Sequence, residues 1–429
     1  MMFKNYKASM LAFYWLLNYN ICVMPMERII MHIDVNNAFL SWSAIDLLNN
    51  GYKYDIRNSY AVIGGDESRR AGIVLAKSMP CKKLGIVTAE TLYSARKKCR
   101  ILKVFPPNFI FYQKMSKALF ELISKYTPDI EVASIDECYI DYGKSRLING
   151  EPLEFAQKLQ KEINETLGFT VNIGIANNKL CAKMASDFSK PNKIHTLFLN
   201  EVEQKMYPLP VGDLFGIGKR TVPKLEQIGI KTIADLANYD EKKLAIFFKN
   251  QASHMINIAR GIDDSEVIVE RPSVKSISTT VTLPVDITNL EEGYDELRKI
   301  SEKVAFELRE KEKYAYIVAV IVKSNSFVNK THQVKLTNPT NVGLEIYKKA
   351  KNLLKEMWDG EPIRLIGIRL DNLVANYGYQ ASLFENVEKK IKDEKLEKVI
   401  DAIKKKYGSK SIRIAKLERK QDENRWFWL

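Results

Sequence analysis

Between Ile29 and Ile33 the chain is almost wholly apolar, broken only by His32, and the run ends on Asp34. A short apolar run of this kind predicts a buried strand with a carboxylate at its end. Two further β-patterned runs, Ile130-Glu131-Val132-Ala133 and Cys138-Tyr139-Ile140-Asp141-Tyr142, flank the tetrapeptide Ser134-Ile135-Asp136-Glu137. That arrangement predicts a hairpin whose apex carries two adjacent acids that can face one point. In a regular strand the same two side chains would project to opposite faces.

The rest of the first 200 residues mixes helical and strand patterns. A helix is expected from near Ala38 to about Asn49. Gly51 to Thr91 reads as a small strand-rich insertion with Gly64-Gly65 and a basic turn at Lys82-Lys83. Amphipathic helices are expected at roughly 94–104, 113–126, 151–167 and 178–188, with a strand at Thr170–Ile175. Residues 201–265 read as small and all-helical, and a basic, polar linker follows at 271–275. Beyond it, Ile277, Thr279, Val281 and Leu283 alternate as a strand, and Tyr294, Leu297, Val304 and Leu308 mark one face of a helix. Strands at 314–323, 331–336 and 362–370 and a helix at 341–357 complete a β-α-β-β-α-β order, which predicts a further compact domain. The tail from 371 onward holds a lysine-rich, helix-like run at 386–406. From Glu385 to Leu429 it has 14 Lys and Arg against 9 Asp and Glu, a balance that reads first as a solvated basic face.

With 429 residues the chain has room for two to four domains. Its 46% apolar and 28% charged content is that of a folded globular protein. The net charge of +14 points to a polyanionic partner, nucleic acid before anionic membrane. Cys22, Cys81, Cys99, Cys138 and Cys181 show no C-x-x-C spacing and no neighbouring histidines, which argues against zinc and fits a reducing cytoplasm. Met1 to Pro25 carries Lys4, Lys7 and an apolar stretch from Met10 to Leu17, but Asn18 and Asn20 interrupt it. It has no small-residue cleavage site and is too short to cross a bilayer, so it is expected to be a disordered or miscalled extension ahead of a start at Met26.

Three acids at the ends of buried strands, Asp34, Asp136 and Glu137, suit a hard divalent cation such as Mg²⁺ that keeps substrate phosphates in its shell. Cations to meet those phosphates are present in Lys82, Lys83, Lys179, Lys183 and Lys190. Asp34 also leads through Val35-Asn36-Asn37 into a helix whose amino end favours anions. Leu214-Phe215-Gly216-Ile217-Gly218-Lys219, followed by Ile228-Gly229-Ile230, has the pattern of a helix-hairpin-helix. The backbone N–H groups at Gly216, Gly218 and Lys219 can hold a DNA phosphate without reading sequence. In the polar tail, Gln380-Ala381-Ser382-Leu383-Phe384 needs somewhere to place Leu383 and Phe384, either on the preceding domain or in a partner's pocket.

Asp34-Val35-Asn36-x-Ala38-Phe39, Ser134 to Asp141, Asn178 to Asp187 and Lys190-Pro191-Asn192 together resemble the Y-family translesion DNA polymerases, nearest the DNA polymerase IV branch. The resemblance runs from about Met26 to the tail. It implies an α+β, multidomain, right-hand fold: palm 26–50 and 93–200, fingers 51–92, helix-hairpin-helix thumb 201–268, linker 269–275, little finger 276–372 and a basic tail 373–429. It implies template-directed, low-fidelity, two-metal nucleotidyl transfer from a dNTP to a primer 3′-hydroxyl. No proofreading domain is expected, because every segment is already assigned.

Asp34 and Asp136 would then hold two Mg²⁺ ions with the Val35 carbonyl, and Glu137 the ion nearer the primer. Phe39 would exclude a 2′-hydroxyl, beside Ala38, where relatives usually carry a bulkier aromatic. Met79 and Lys82 stand where the family keeps a tyrosine and an arginine on the triphosphate, and Lys190 joins them. A lysine there keeps the charge but loses the bidentate fork. The implied partners are primer–template DNA, dNTP and, through Gln380, Leu383 and Phe384, a bacterial sliding clamp. The chain is expected to act as a cytoplasmic monomer without membrane contact. The alternatives are a non-catalytic DNA-binding or clamp-associated protein retaining the fold, which loss of an acid would favour, and a two-metal nuclease or cyclase. The helix-hairpin-helix and the clamp-like tail disfavour the latter.

Overall fold

The computed structural model describes residues 28–67, 70, 72–270, 273–375, 387–408 and 411–412. The N-terminal extension, Cys22 and the Gln380–Phe384 peptide therefore lie outside the described residues. The chain forms two compact bodies. One runs to Gly65 and again from Ile73 to Arg271; the other joins Asp66–Gly72 to the residues from Pro272 onward.

The first body is built on a five-stranded sheet in the order β5-β6-β1-β7-β8. Its strands are β1 (Ile30–Val35), β5 (Ile130–Val132), β6 (Glu137–Asp141), β7 (Val171–Ala176) and β8 (Ile194–Thr196). Central β1 pairs antiparallel with both β6 and β7. Period-two alternation divides β1 between two cores. Met31, Ile33 and Val35 pack with Tyr112, Leu119, Phe155 and Leu159 from helices Phe109–Ile123 and Pro152–Leu167. Ile30 belongs to the other core, under helix Lys179–Asp187, together with Leu180, Met184 and the small helices that follow.

Gly174 on β7 makes that second face possible. A Cβ there would lie 2.0 Å from the Ala182 carbonyl oxygen and 2.5 Å from the Ser186 nitrogen, so only glycine lets the helix lie directly on the strand.

A second, three-stranded sheet, β3-β2-β4, uses β2 (Ala61–Gly64), β3 (Val74–Lys77) and β4 (Lys103–Phe105). The helix expected over 94–104 is corrected here: it spans Leu92–Lys98, and the chain then re-enters the sheet as β4, parallel to β2. Apolar residues continue through both elements, so periodicity alone does not mark the break. Lys82 and Lys83 likewise end a short helix, Met79–Lys83, instead of forming a turn, because the Ser78 hydroxyl caps its first turn. Residues 202–259 fold into short helices around Leu225, Ile230, Leu236, Leu244 and Met255.

The second body has the β-α-β-β-α-β order read from the sequence. Strands β9 (Ser276–Ile287), β10 (Tyr314–Ser324), β11 (Asn329–Thr340) and β12 (Ile363–Val374) form an antiparallel sheet in the order β11-β10-β12-β9. Helices Leu290–Glu310 and Gly343–Met357 contribute Leu297, Val304, Leu308, Ile346 and Leu354 to its core. The charged run in the tail is helix Val387–Tyr407, and it is more than a solvated face. Arg309, 7% exposed, donates to both Asp401 oxygens at 2.6 and 2.9 Å and lies 3.1 Å from Glu397. Among the described residues, no helix is long and apolar enough to cross a membrane.

Candidate active site

Register brings the first two acids together. Asp34 lies directly opposite Glu137 across β1 and β6, and His32 lies opposite Tyr139. Opposed residues of an antiparallel pair share a face, so Asp34, Glu137 and His32 all stand on the side covered by helix Lys179–Asp187. The hairpin expected around the two adjacent acids is present: β5 and β6 pair antiparallel, Asp136 lies in the turn between them, and Glu137 opens β6. The Asp136 carboxylate accepts from the Ser134 hydroxyl at 2.6 Å, and its carbonyl accepts from the Val35 N–H at 3.0 Å.

Two lysines reach the acids from the helix and the loop after it. Lys183 Nζ donates to Glu137 Oε1 at 2.8 Å, and Lys190 Nζ donates to Asp34 Oδ2. Asp187 lies between the lysines, with Oδ1 2.8 Å from Lys190 and Oδ2 3.5 Å from Lys183. Burial at 4% exposure pushes the Asp34 carboxyl up to about 6, with Lys190 only partly offsetting it. Glu137 moves the opposite way. The neighbouring His32 and then Lys183 hold it well below the usual carboxylate range against its own burial. Burial opposes the Lys190 charge, but Asp34 and Asp187 outweigh it and raise that ammonium.

Behind Glu137, the His32 ring is fully buried. Its Nδ1 is 2.8 Å from the Ser186 hydroxyl, and that hydroxyl donates to the Lys183 carbonyl at 2.8 Å. Its Nε2 faces Glu137 Oε2 at 3.7 Å, too far for a hydrogen bond, and has no other partner.

The lysine loop is held by amides. Asn36 Nδ2 donates to Asn172 Oδ1 at 3.0 Å, and Asn36 Oδ1 accepts from the Asn192 N–H at 2.8 Å. Asn172 Nδ2 donates to the Ser186 and Ser189 carbonyls at 2.9 and 2.6 Å. Both asparagines are buried, so these bonds fix the turn after Asp34, β7 and the Lys190 loop to one another.

Helix Ala38–Asn49 starts after Asn37, whose φ of 51° turns the chain away from the strand. Ala38 is buried, and Phe39 stacks on Tyr112 at 4.8 Å and 10° with Phe109 edge-on at 6.0 Å. The Tyr112 hydroxyl is tied to Ser43 at 2.5 Å, so Phe39 rests against a fixed ring. On the short helix that follows β3, Met79 is 49% exposed and Lys82 is exposed. In the helical segment Gly216 has a φ of 96°, and a Cβ on Gly218 would meet nothing within 4 Å, which leaves that backbone open to a ligand.

The sequence reading assigned no role to His32, Ser186, Asp187, Asn172 or Tyr112. The spacing of Lys183, Asp187 and Lys190, four and three residues apart, was the available signal for the ionic row.

Among the described residues, no three His, Cys, Asp or Glu side chains converge as a preformed cation cage. The donor set still fits Mg²⁺. Two acids face each other across one strand pair, and each already holds an ammonium where a cation would sit. A magnesium ion needs few protein carboxylates when a polyphosphate completes its shell.

Residues 33–187 match the impB/mucB/samB family, 274–383 its C-terminal domain and 200–230 the IMS family HHH motif. The DNA polymerase IV of Clostridium acetobutylicum is 44% identical over 93% of this chain and 100% of its own length. The DNA polymerase IV 1 of Bacillus subtilis is 33% identical over 92% of this chain and 94% of its own. Among solved structures, the Y-family DNA polymerase chimera Dbh-Dpo4-Dbh aligns with a TM-score of 0.71 at 25% identity, over 81% of this chain and 100% of its own. The helix-hairpin-helix and the little-finger order read from the sequence thus have counterparts in known proteins, and the chain belongs to the Y family of DNA polymerases, in its DNA polymerase IV branch.

Proposed function

We propose that the protein is a template-directed DNA polymerase for translesion synthesis, adding dNTPs to a primer 3′-hydroxyl at the Asp34–Glu137 strand pair. The observation that carries the site assignment is that register: two acids fixed opposite each other, each neutralised by a lysine. Asp34, Asp136, Glu137 and the Val35 carbonyl would hold two Mg²⁺ ions. When bound, these ions lower the pKa of the attacking hydroxyl and neutralise charge on the leaving pyrophosphate.

The chain's own groups do the rest. Lys190, at the edge of the acid pair, turns to the triphosphate, and Lys82 and Met79 meet it from the short helix Met79–Lys83. Phe39, braced by Tyr112, closes the space at the sugar 2′ position. Gly216, Gly218 and Lys219 hold a duplex phosphate through backbone N–H groups. Primer extension with Mg²⁺ tests the reading. The parent chain extends a primed template, and Asp136→Asn lowers the rate at least about 10²-fold while duplex binding persists. Undiminished extension by that variant rules out the acid assignment.

We further propose that Gln380, Leu383 and Phe384 bind a bacterial sliding clamp. Their adjacent apolar side chains in a polar segment support this, since such a peptide can tether a weakly held enzyme to DNA. Deleting 380–384 is expected to abolish clamp stimulation and leave distributive synthesis intact, and stimulation that survives the deletion excludes the peptide.

A further inference from the structure

Asp187 is the last residue of helix Lys179–Asp187 and is not among the acids assigned to the cations. Its two oxygens nonetheless serve two different lysines, Lys190 at 2.8 Å and Lys183 at 3.5 Å. Each lysine also contacts one of the opposed acids: Lys190 meets Asp34, and Lys183 meets Glu137 at 2.8 Å. The charges therefore form a row, Asp34–Lys190–Asp187–Lys183–Glu137, with Asp187 at its centre. An acid at the carboxyl end of a helix opposes the helix dipole. Placing one there breaks a local rule, as functional positions often do.

We propose that Asp187 is a positioning residue for nucleotide binding: it retains Lys190 and Lys183 at the site when divalent cations displace them from Asp34 and Glu137. The inference rests on the polymerase reading above. The oxygens of Asp34 and Glu137 cannot serve an ammonium and a cation fully at once. When a cation arrives, both lysines lose a partner. Lys183 is only 10% exposed on its side chain, so Asp187 becomes its remaining counter-ion. Lys190 is 39% exposed and is free to swing outward, with a gain in side-chain entropy. Bonded to Asp187, it stays beside the acids with further N–H donors available for a phosphate. The backbone of its loop is already fixed through Asn192 and Asn36, so Asp187 supplies what the loop cannot, the direction of the side chain.

The test is steady-state primer extension with the full chain. Asp187→Asn is expected to raise the dNTP KM about fivefold, the scale of a partly exposed ion pair, with little change in kcat. Asp187→Glu is expected to recover most of that loss. In a Lys190→Met background, Asp187→Asn is expected to add a much smaller rise in KM, because the contact that orients Lys190 is already gone and only the longer one to Lys183 remains. The inference is overturned if Asp187→Asn leaves KM unchanged, if it raises KM as much without Lys190 as with it, or if it lowers kcat and melting temperature together without a KM effect. Failure of the parent chain to extend primers at all would reject the polymerase reading itself, a result separable from each of these.

Discussion

Asp34 is proposed to hold the cations and Lys82 to meet the triphosphate, yet their surroundings have little in common. Asp34 is 4% exposed, paired across a strand with Glu137 and bonded to Lys190, whose loop is tied down by two buried asparagines. Lys82 is exposed near the end of a five-residue helix, and Met79 beside it is 49% exposed. Many contacts fix the first group, and any change there disturbs several partners at once. The second can exchange arginine for lysine, or tyrosine for methionine, at little cost to the fold, because exposed positions contribute little to stability. The departures expected at Met79 and Lys82 fall on the half of the site that can absorb them, whereas the one at Ala38 is buried beside Phe39.

Three measurements sharpen or break this contrast. The largest effect is expected on the packed side, where Phe39→Ala removes the ring stacked on Tyr112 and is expected to raise ribonucleotide incorporation by roughly 10- to 100-fold. No gain in ribonucleotide use would detach Phe39 from the sugar. On the open side, Lys82→Ala is expected to raise the dNTP KM only about fivefold, and Lys82→Arg to lower it by a smaller factor. A collapse of kcat in either variant would show that this half is as rigidly engaged as the acids.

The smallest effect is on stability. Because the Asp34 carboxyl is raised to about 6, the folded chain binds a proton that the unfolded chain has lost, between the ordinary aspartate range and about 6. Stability therefore falls as pH rises through that window. Glu137 has the opposite sign, since its depressed carboxyl adds stability that is lost only at more acidic pH. In the upper part of the Asp34 window Glu137 is ionised in both states and does not interfere. Thermal melting without Mg²⁺ is expected to drop by a few degrees, on the order of 3 °C, up to about pH 6, and Asp34→Asn is expected to flatten that slope.

The second body was legible in the sequence because each of its elements keeps one period long enough to recognise. β1 was legible for the same reason, as a run bounded by an acid. The break between helix Leu92–Lys98 and β4 was not, since both bury the same kinds of residue into one small core. The acids were found by type and position at strand ends. The ionic row was not, because Asp187 and Glu137 belong to separate elements that only folding places on one face. Asn172 was hidden for a related reason: an asparagine inside an apolar strand gives no sign of which distant carbonyls it will satisfy.

The missing side chain at Gly174 has a mechanical consequence. Where helices rest on sheets through side chains, rotamer changes give the contact some compliance. Here the Ala182 carbonyl and the Ser186 nitrogen close on the strand backbone itself. The seat of Lys183 and Asp187 is thus hard, set by main chain against main chain, and the spacing of charge over the two strand acids is held nearly as stiffly as the sheet.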